Sequence, residues 1–191
     1  MNKSIKAKIH KKREVFTYAE MWHISNFLFD NGKLIKEGQN LKFMASLVFK
    51  AFTFEAYLNH IGPNIFKCWD SLERLGPLEK LQIIAEKLNV AINMGIRPWQ
   101  TLKCLFKYRN EMAHGKTIII ETEETIPAEH YNHNAPPSLI KTEWEQYCNE
   151  SNIQKVHKDI ELIIIKLHNA GKFDLPPFTQ FQSYGVDFIQ E

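Results

Sequence analysis

Within Tyr108-Arg109-Asn110-Glu111-Met112-Ala113-His114-Gly115 an arginine, an amide and a histidine fall in six consecutive positions. A guanidinium keeps its charge at any physiological pH and can grip a phosphate through two parallel N–H donors. An imidazole is the side chain whose ordinary pKa lets it take or give a proton near neutrality. Together Arg109 and His114 form a minimal set for cutting a phosphodiester. The cation meets charge developing on the phosphate, and the imidazole carries the proton. Asn110 adds an amide that can hold an oxygen or steady its neighbour. Glu111 is expected on the solvent side, where a carboxylate would repel phosphate. His114 also has a purely local reading, because a histidine in a last helical turn suits the C-terminal dipole and caps free carbonyls.

The element that must carry these groups is the helix opened by Pro98. Its apolar arc is Leu102, Leu105, Phe106, Met112 and Ala113, and Arg109 falls inside that arc. Asn110 lies at one border, and His114 further round at the helix end. A second helix, residues 40–61, shows a matching oddity. At 100° per residue Leu41, Met44, Ala45, Val48, Ala51 and Phe52 share one face, with Glu55 and Asn59 in its middle. A carboxylate there is costly unless paired. The economical expectation is that Glu55 meets Arg109 between the two helices. The competing reading is an ion pair that holds the helices in register and has no part in catalysis.

The remaining pattern is helical almost throughout. A first helix is expected from Glu14 to Phe29, stopping at Asp30-Asn31-Gly32 as a left-handed cap. The second helix should end at Gly62-Pro63. A short helical segment covers 64–75, and Pro77 opens another that reaches Leu88. Thr117-Ile118-Ile119-Ile120 reads as an edge strand or extended segment, and 121–141 as an exposed loop rich in Pro, Asn and His. One long helix is expected from Thr142 to Asn169. The fold class is all-α: a four-to-five-helix up-down bundle with a short extended segment after the motif helix and a C-terminal tail. Residues 1–13 read as a basic, disordered arm, 14–170 as the bundle with a loop at 116–141, and 171–191 as an aromatic-rich tail docked on the bundle or on a second subunit.

The chain has 191 residues, of which 44% are hydrophobic, enough for one domain with a sizeable core. A net charge of +2 excludes a general polyanion-binding surface. The charge is uneven, however: residues 1–13 carry Lys3, Lys6, Lys8, Lys11, Lys12 and Arg13 and no acid. That start is read as a solvated terminus or an arm touching nucleic acid, and it lacks the apolar centre of a secretory signal. Cys68, Cys104 and Cys148 are odd in number and widely spaced, and read as reduced core residues of a cytoplasmic protein. No apolar run approaches a membrane span. The richest, Met44 to Leu58, is interrupted by Lys50 and Glu55. His130 and His133, with Glu123, Glu124 and Glu129 nearby, have a metal-ligand spacing, but in a Pro/Asn-rich loop they read as exposed side chains. No metal and no cofactor is expected. Trp22, Trp69, Trp99 and Trp144 sit in helical patterns and read as core or interface anchors rather than base-stacking platforms.

Arg109-Asn110-Glu111-Met112-Ala113-His114 resembles the signature of the HEPN superfamily, small α-helical bundles of bacterial conflict systems and RNA-processing enzymes. That signature is an arginine, four to six intervening residues and a histidine, commonly with a polar residue directly after the arginine. The likeness extends more softly to Phe54-Glu55-Ala56-Tyr57-Leu58-Asn59 and to Pro77-Leu78-Glu79-Lys80-Leu81, and covers roughly residues 15–170. The resemblance implies metal-independent RNA cleavage by a homodimer, with the Arg and His of both copies at one interfacial cleft. Attack by the RNA's own 2′-hydroxyl would leave a cyclic phosphate. His114 would serve as general base or acid, Arg109 would stabilise charge on the phosphate, and Asn110 would support the site. A toxin or phage-defence effector of this kind implies RNA and an antitoxin protein as partners. The superfamily also contains inactive modules that keep the bundle and bind a nucleotide, RNA or a protein. A structural protein with no nucleic-acid role is the third class.

Overall fold

The computed structural model describes residues 5–127 and 139–190. Along the chain these form β1 (Ile5–Glu14), α1 (Thr17–Leu34), α2 (Gln39–Ile65), α3 (Trp69–Leu72), α4 (Pro77–Lys87), α5 (Trp99–His114), α6 (Glu143–Tyr147), α7 (Glu150–Gly171) and β2 (Phe181–Gln190). The protein is thus mostly helical, with a single two-stranded sheet among the described residues. The chain's hydrophobic period explains the centre. Leu47, Ala51, Phe54, Leu58 and Ile61 recur at helical spacing on α2 and are buried. Against them α7 turns Ile153, Val156, Ile160, Ile163, Ile164 and Leu167, and α5 turns Leu102, Leu105 and Phe106. Helix α2 touches α1, α4, α5 and α7, so it is the shared wall of the core. None of the described helices is long and apolar enough to cross a membrane.

Several expectations are corrected by packing. Helix α1 does not stop at Asp30-Asn31-Gly32 but continues to Leu34. Gly32 is there for close approach: a Cβ would stand 2.7 Å from the Phe43 ring. The left-handed glycine is Gly38, at φ 62°, just before α2. Helix α2 likewise runs through Gly62-Pro63 to Ile65. A proline so near the end removes one hydrogen bond only, and a Cβ at Gly62 would meet the Trp69 indole at 2.3 Å. The single helix expected from Thr142 to Asn169 is two, α6 and α7. Asn149, extended at φ −129° and ψ 158°, caps α7 by accepting from the Asn152 backbone N–H. Thr142 caps α6 in a reciprocal box with Glu145.

The expected disordered arm is corrected as well. Residues 5–14 pair antiparallel with residues 181–190, with Ile9 opposite Val186 and Lys11 opposite Tyr184. Ala7 and Ile9 alternate with Lys8 and His10, a period of two that suits a strand. The tail's aromatics divide: Phe178 stacks on Trp22 at 4.0 Å, while residues 181–190 form the strand. The segment 116–127 contains no strand. Cys148 is buried, but Cys68 and Cys104 are exposed, so only one of the three cysteines is in the core.

Lys50 is fully buried on α2. It donates to Asn26 Oδ1 at 2.9 Å and lies 3.4 Å from the centroid of the Trp22 ring. Burial pushes its pKa from 10.5 down to about 6. Next to it the Ser25 and Ser46 hydroxyls each donate to the other's carbonyl at 2.8 Å. Their single protons are then spent, so His157 Nε2 is the donor to Ser46 Oγ at 3.0 Å. Burial, aided by the Lys50 charge, pushes the His157 pKa down to about 2. Between about pH 6 and 10.5 the unfolded chain binds the Lys50 proton and the folded chain does not, so this group makes stability rise with pH across that window. Lys50→Met is expected to raise the Tm near pH 7, with the gain shrinking towards pH 10. Parallel Tm curves for the two proteins between pH 6 and 10 would show that Lys50 keeps its proton in the fold.

Candidate functional site

Helix α5 is clamped at both ends by carboxylates from other helices. At its entry Arg97 Nε and Nη2 donate to the two oxygens of buried Asp159 on α7, at 2.7 and 2.8 Å. The Thr101 hydroxyl donates to the same carboxylate. Towards its exit Arg109 Nη2 donates to Glu55 Oε2 on α2 at 2.5 Å. Arg109 Nη1 donates to Asn110 Oδ1 at 3.0 Å, and the guanidinium carbon stands 5.6 Å from the Phe106 ring centroid. Arg109 Nε is buried and has no hydrogen-bond partner among the described residues. The expected meeting of Glu55 and Arg109 between α2 and α5 is therefore present in the fold.

Its surroundings differ from the expected ones. The face of α2 that bears Glu55 is a half-exposed flank of the core. Leu41 is 70% exposed, Phe52 is exposed, Met44, Ala45 and Val48 are half-buried, and of that face Ala51 reaches the core. The Glu55 side chain is 27% exposed and that of Arg109 17%. Glu55 also has a second cation: Lys80 Nζ on α4 lies 3.9 Å from Oε1, with its side chain 3% exposed. Lys80 donates to Asn59 Oδ1 at 2.9 Å, which explains the other polar residue on that face. The sequence reading missed Lys80. Its signal is positional, since Lys80 shares the buried side of α4 with Leu81, Ile84 and Ala85.

His114 ends α5 and is exposed. The helix stops there without a left-handed cap, for Gly115 has φ −53° and ψ 135°. A Cβ on Gly115 would stand 2.8 Å from the Glu111 carbonyl oxygen, so glycine lets the chain leave tightly. Five residues turn a helix through roughly 500°, which sets His114 about 140° round from Arg109. Among the described residues the two share no partner. Arg109 turns to α2, and His114 lines a cavity of about 760 Å³ between α5, the segment 115–120 and residues 141–146. Asn110 belongs to both sides: it accepts from Arg109 and lines the cavity.

The cavity wall is amphipathic. Ile118, Ile120 and Trp144 supply apolar surface, and Lys107, Lys116 and Lys141 supply positive charge. Lys107 donates to Glu143 at 2.8 Å and stands 3.7 Å from Glu111. The Glu143 contact raises the Lys107 pKa, and Lys107 lowers that of Glu143. Glu111, expected to face solvent, is half-buried and lines the cavity. Among the described residues no group of three or more His, Cys, Asp or Glu side chains is placed to hold a metal ion. His130 and His133 lie outside the described residues. No protein-family model, curated protein or solved structure matches this chain.

Proposed function

We infer that this chain is a metal-independent endoribonuclease of HEPN type, cleaving RNA by acid–base chemistry at the end of α5. The observation that carries this reading is Asn110, which ties the Arg109 guanidinium to the wall where His114 stands exposed. His114 serves as general base or acid, and Arg109 stabilises charge on the phosphate. Glu55 fixes the guanidinium, and Asn110 holds the two halves of the site together. Because Arg109 and His114 diverge around one helix, the reading requires a second copy whose groups complete the cleft. The half-exposed apolar flank Leu41–Val48–Phe52 runs up to the Glu55–Arg109 pair and is the surface on which that copy docks. On this reading the helices form a four-to-five-helix up-down bundle. The protein acts in the cytoplasm as a toxin or phage-defence effector that an antitoxin protein could mask. The test is incubation of the purified chain with RNA in the presence of EDTA. Fragments ending in a cyclic phosphate are expected, and intact RNA at micromolar protein would end the nuclease reading.

A second reading is favoured by a different observation. Arg109 is already held by Glu55 and does not line the cavity, and the Arg97–Asp159 clamp at the other end of α5 is likewise an arginine–carboxylate pair with no chemistry attached. The chain is then a non-catalytic helical module that binds a nucleotide, RNA or a protein partner. Salt-dependent RNA affinity without product would select it.

A further inference from the structure

We propose that the cavity beside His114 is a nucleobase subsite, in which a base lies against Trp144 and its phosphate is directed to Lys116 and Lys141, beside His114. This deepens the proposed function, and rests on it for the identity of the ligand as RNA. The volume, about 760 Å³, falls within the roughly 300–1,000 Å³ of small-ligand sites and accommodates a nucleotide with room for its neighbour. The wall divides by chemistry. Apolar surface comes from Trp144, Ile118 and Ile120, and Lys116 and Lys141 line the same cavity as His114. A flat aromatic group joined to an anion is the ligand class that matches such a division, because each half meets its complement without burying an unpaired charge.

Trp144 is the feature of the cavity that most favours a base. It is only partly buried, although it is a large apolar side chain seated on α6 and packed on the edge of the core. It also lines a second cavity of about 200 Å³, shared with Cys104, Tyr108 and Tyr147. An indole that borders two cavities lacks part of the dispersion contacts a packed core residue makes. A stacked base would supply them. Around it Asn110, Thr142 and Gln146 provide amide and hydroxyl groups that can read a base edge. Glu143 and Glu111 lie 2.8 and 3.7 Å from the Lys107 ammonium, and with Lys116 and Lys141 also on the lining the cations outnumber the two carboxylates.

The experiment is calorimetric titration of the full chain, at low salt, with adenosine 3′-monophosphate, cytidine 3′-monophosphate, ribose 5-phosphate and phenyl phosphate. Adenosine 3′-monophosphate is expected to bind at least about 10-fold more tightly than ribose 5-phosphate, with the purine ahead of the pyrimidine, since stacking scales with ring surface. Trp144→Ala should weaken the nucleotide by about 10-fold or more and Trp144→Phe by much less. Ile118→Asp, at an exposed position that cannot unfold the protein, should weaken it too. Ribose 5-phosphate binding as well as the nucleotide overturns the subsite, as does phenyl phosphate binding no better than ribose 5-phosphate, or unchanged affinity in both Trp144→Ala and Ile118→Asp. The two readings fail separately. Nucleotide binding without RNA cleavage leaves the subsite standing and removes the nuclease. RNA cleavage that is indifferent to Trp144 and Ile118, without nucleotide binding, does the reverse.

Discussion

His114→Ala is expected to lower RNA cleavage by roughly 10²–10⁴-fold, the range a positioned general acid or base contributes. The variant should stay folded. His114 is exposed at the helix end and has no packing role in the core, and surface substitutions of that kind generally change stability by about 0.5 kcal/mol or less. Loss of the imidazole from the last turn of α5 removes at most a small favourable interaction with the helix dipole. The separation of the two effects gives the test its force. A cleavage rate within about threefold of wild type removes His114 from the reaction, and with it the nuclease reading. A lost rate accompanied by an unchanged Tm and an unchanged affinity for RNA places the loss in the chemical step. Arg109→Lys is the companion variant, since it keeps the charge but gives up the paired donors that suit both a carboxylate and a phosphate. It is expected to lose most of the activity at a smaller cost in stability than Arg109→Ala.

The largest expected effect on stability belongs to Glu55→Ala. Glu55 faces two cations, Arg109 at 2.5 Å and Lys80 at 3.9 Å, and both cationic side chains are mostly out of water. Removing the carboxylate leaves two inward charges without a counter-ion. Breaking a buried pair in this way costs about 3–5 kcal/mol, and the water that reaches Glu55 puts the expected loss near the lower end, about 3 kcal/mol. For a chain of this length that corresponds to a Tm lower by roughly 6–12 °C. Glu55→Gln keeps an acceptor for Arg109 and should lose about half as much. Unchanged stability together with unchanged cleavage in Glu55→Gln would show that the pair does nothing. Glu55→Leu combined with Arg109→Met separates structure from catalysis. The double variant should recover part of the stability, because the stranded charge at Arg109 is gone, yet it should cleave no RNA. Full activity in that variant would make the pair a helix clamp of the Arg97–Asp159 kind.

What the sequence determined by itself was local and periodic. The helices around Phe54, Leu105 and Pro77 follow from apolar spacing, and the Glu55–Arg109 meeting follows from two charges placed on apolar faces of two long helices. Such faces are legible because a helix repeats every 3.6 residues whatever it later packs against. The tertiary structure decided what depends on distant partners. Gly32 and Gly62 look like stops in a sequence but serve as contact points for Phe43 and Trp69, which lie elsewhere in the chain. The basic start looks like a free arm until residues 181–190 pair with it. Which side of α2 forms the core was settled by α1, α4 and α7 packing on it, leaving Leu41 and Phe52 outside and Lys50 inside. The separation of Arg109 from His114 has the same cause. Six residues of sequence hold both groups, but helical rotation gives one to α2 and the other to the cavity, and only packing reveals that Asn110 lies between them.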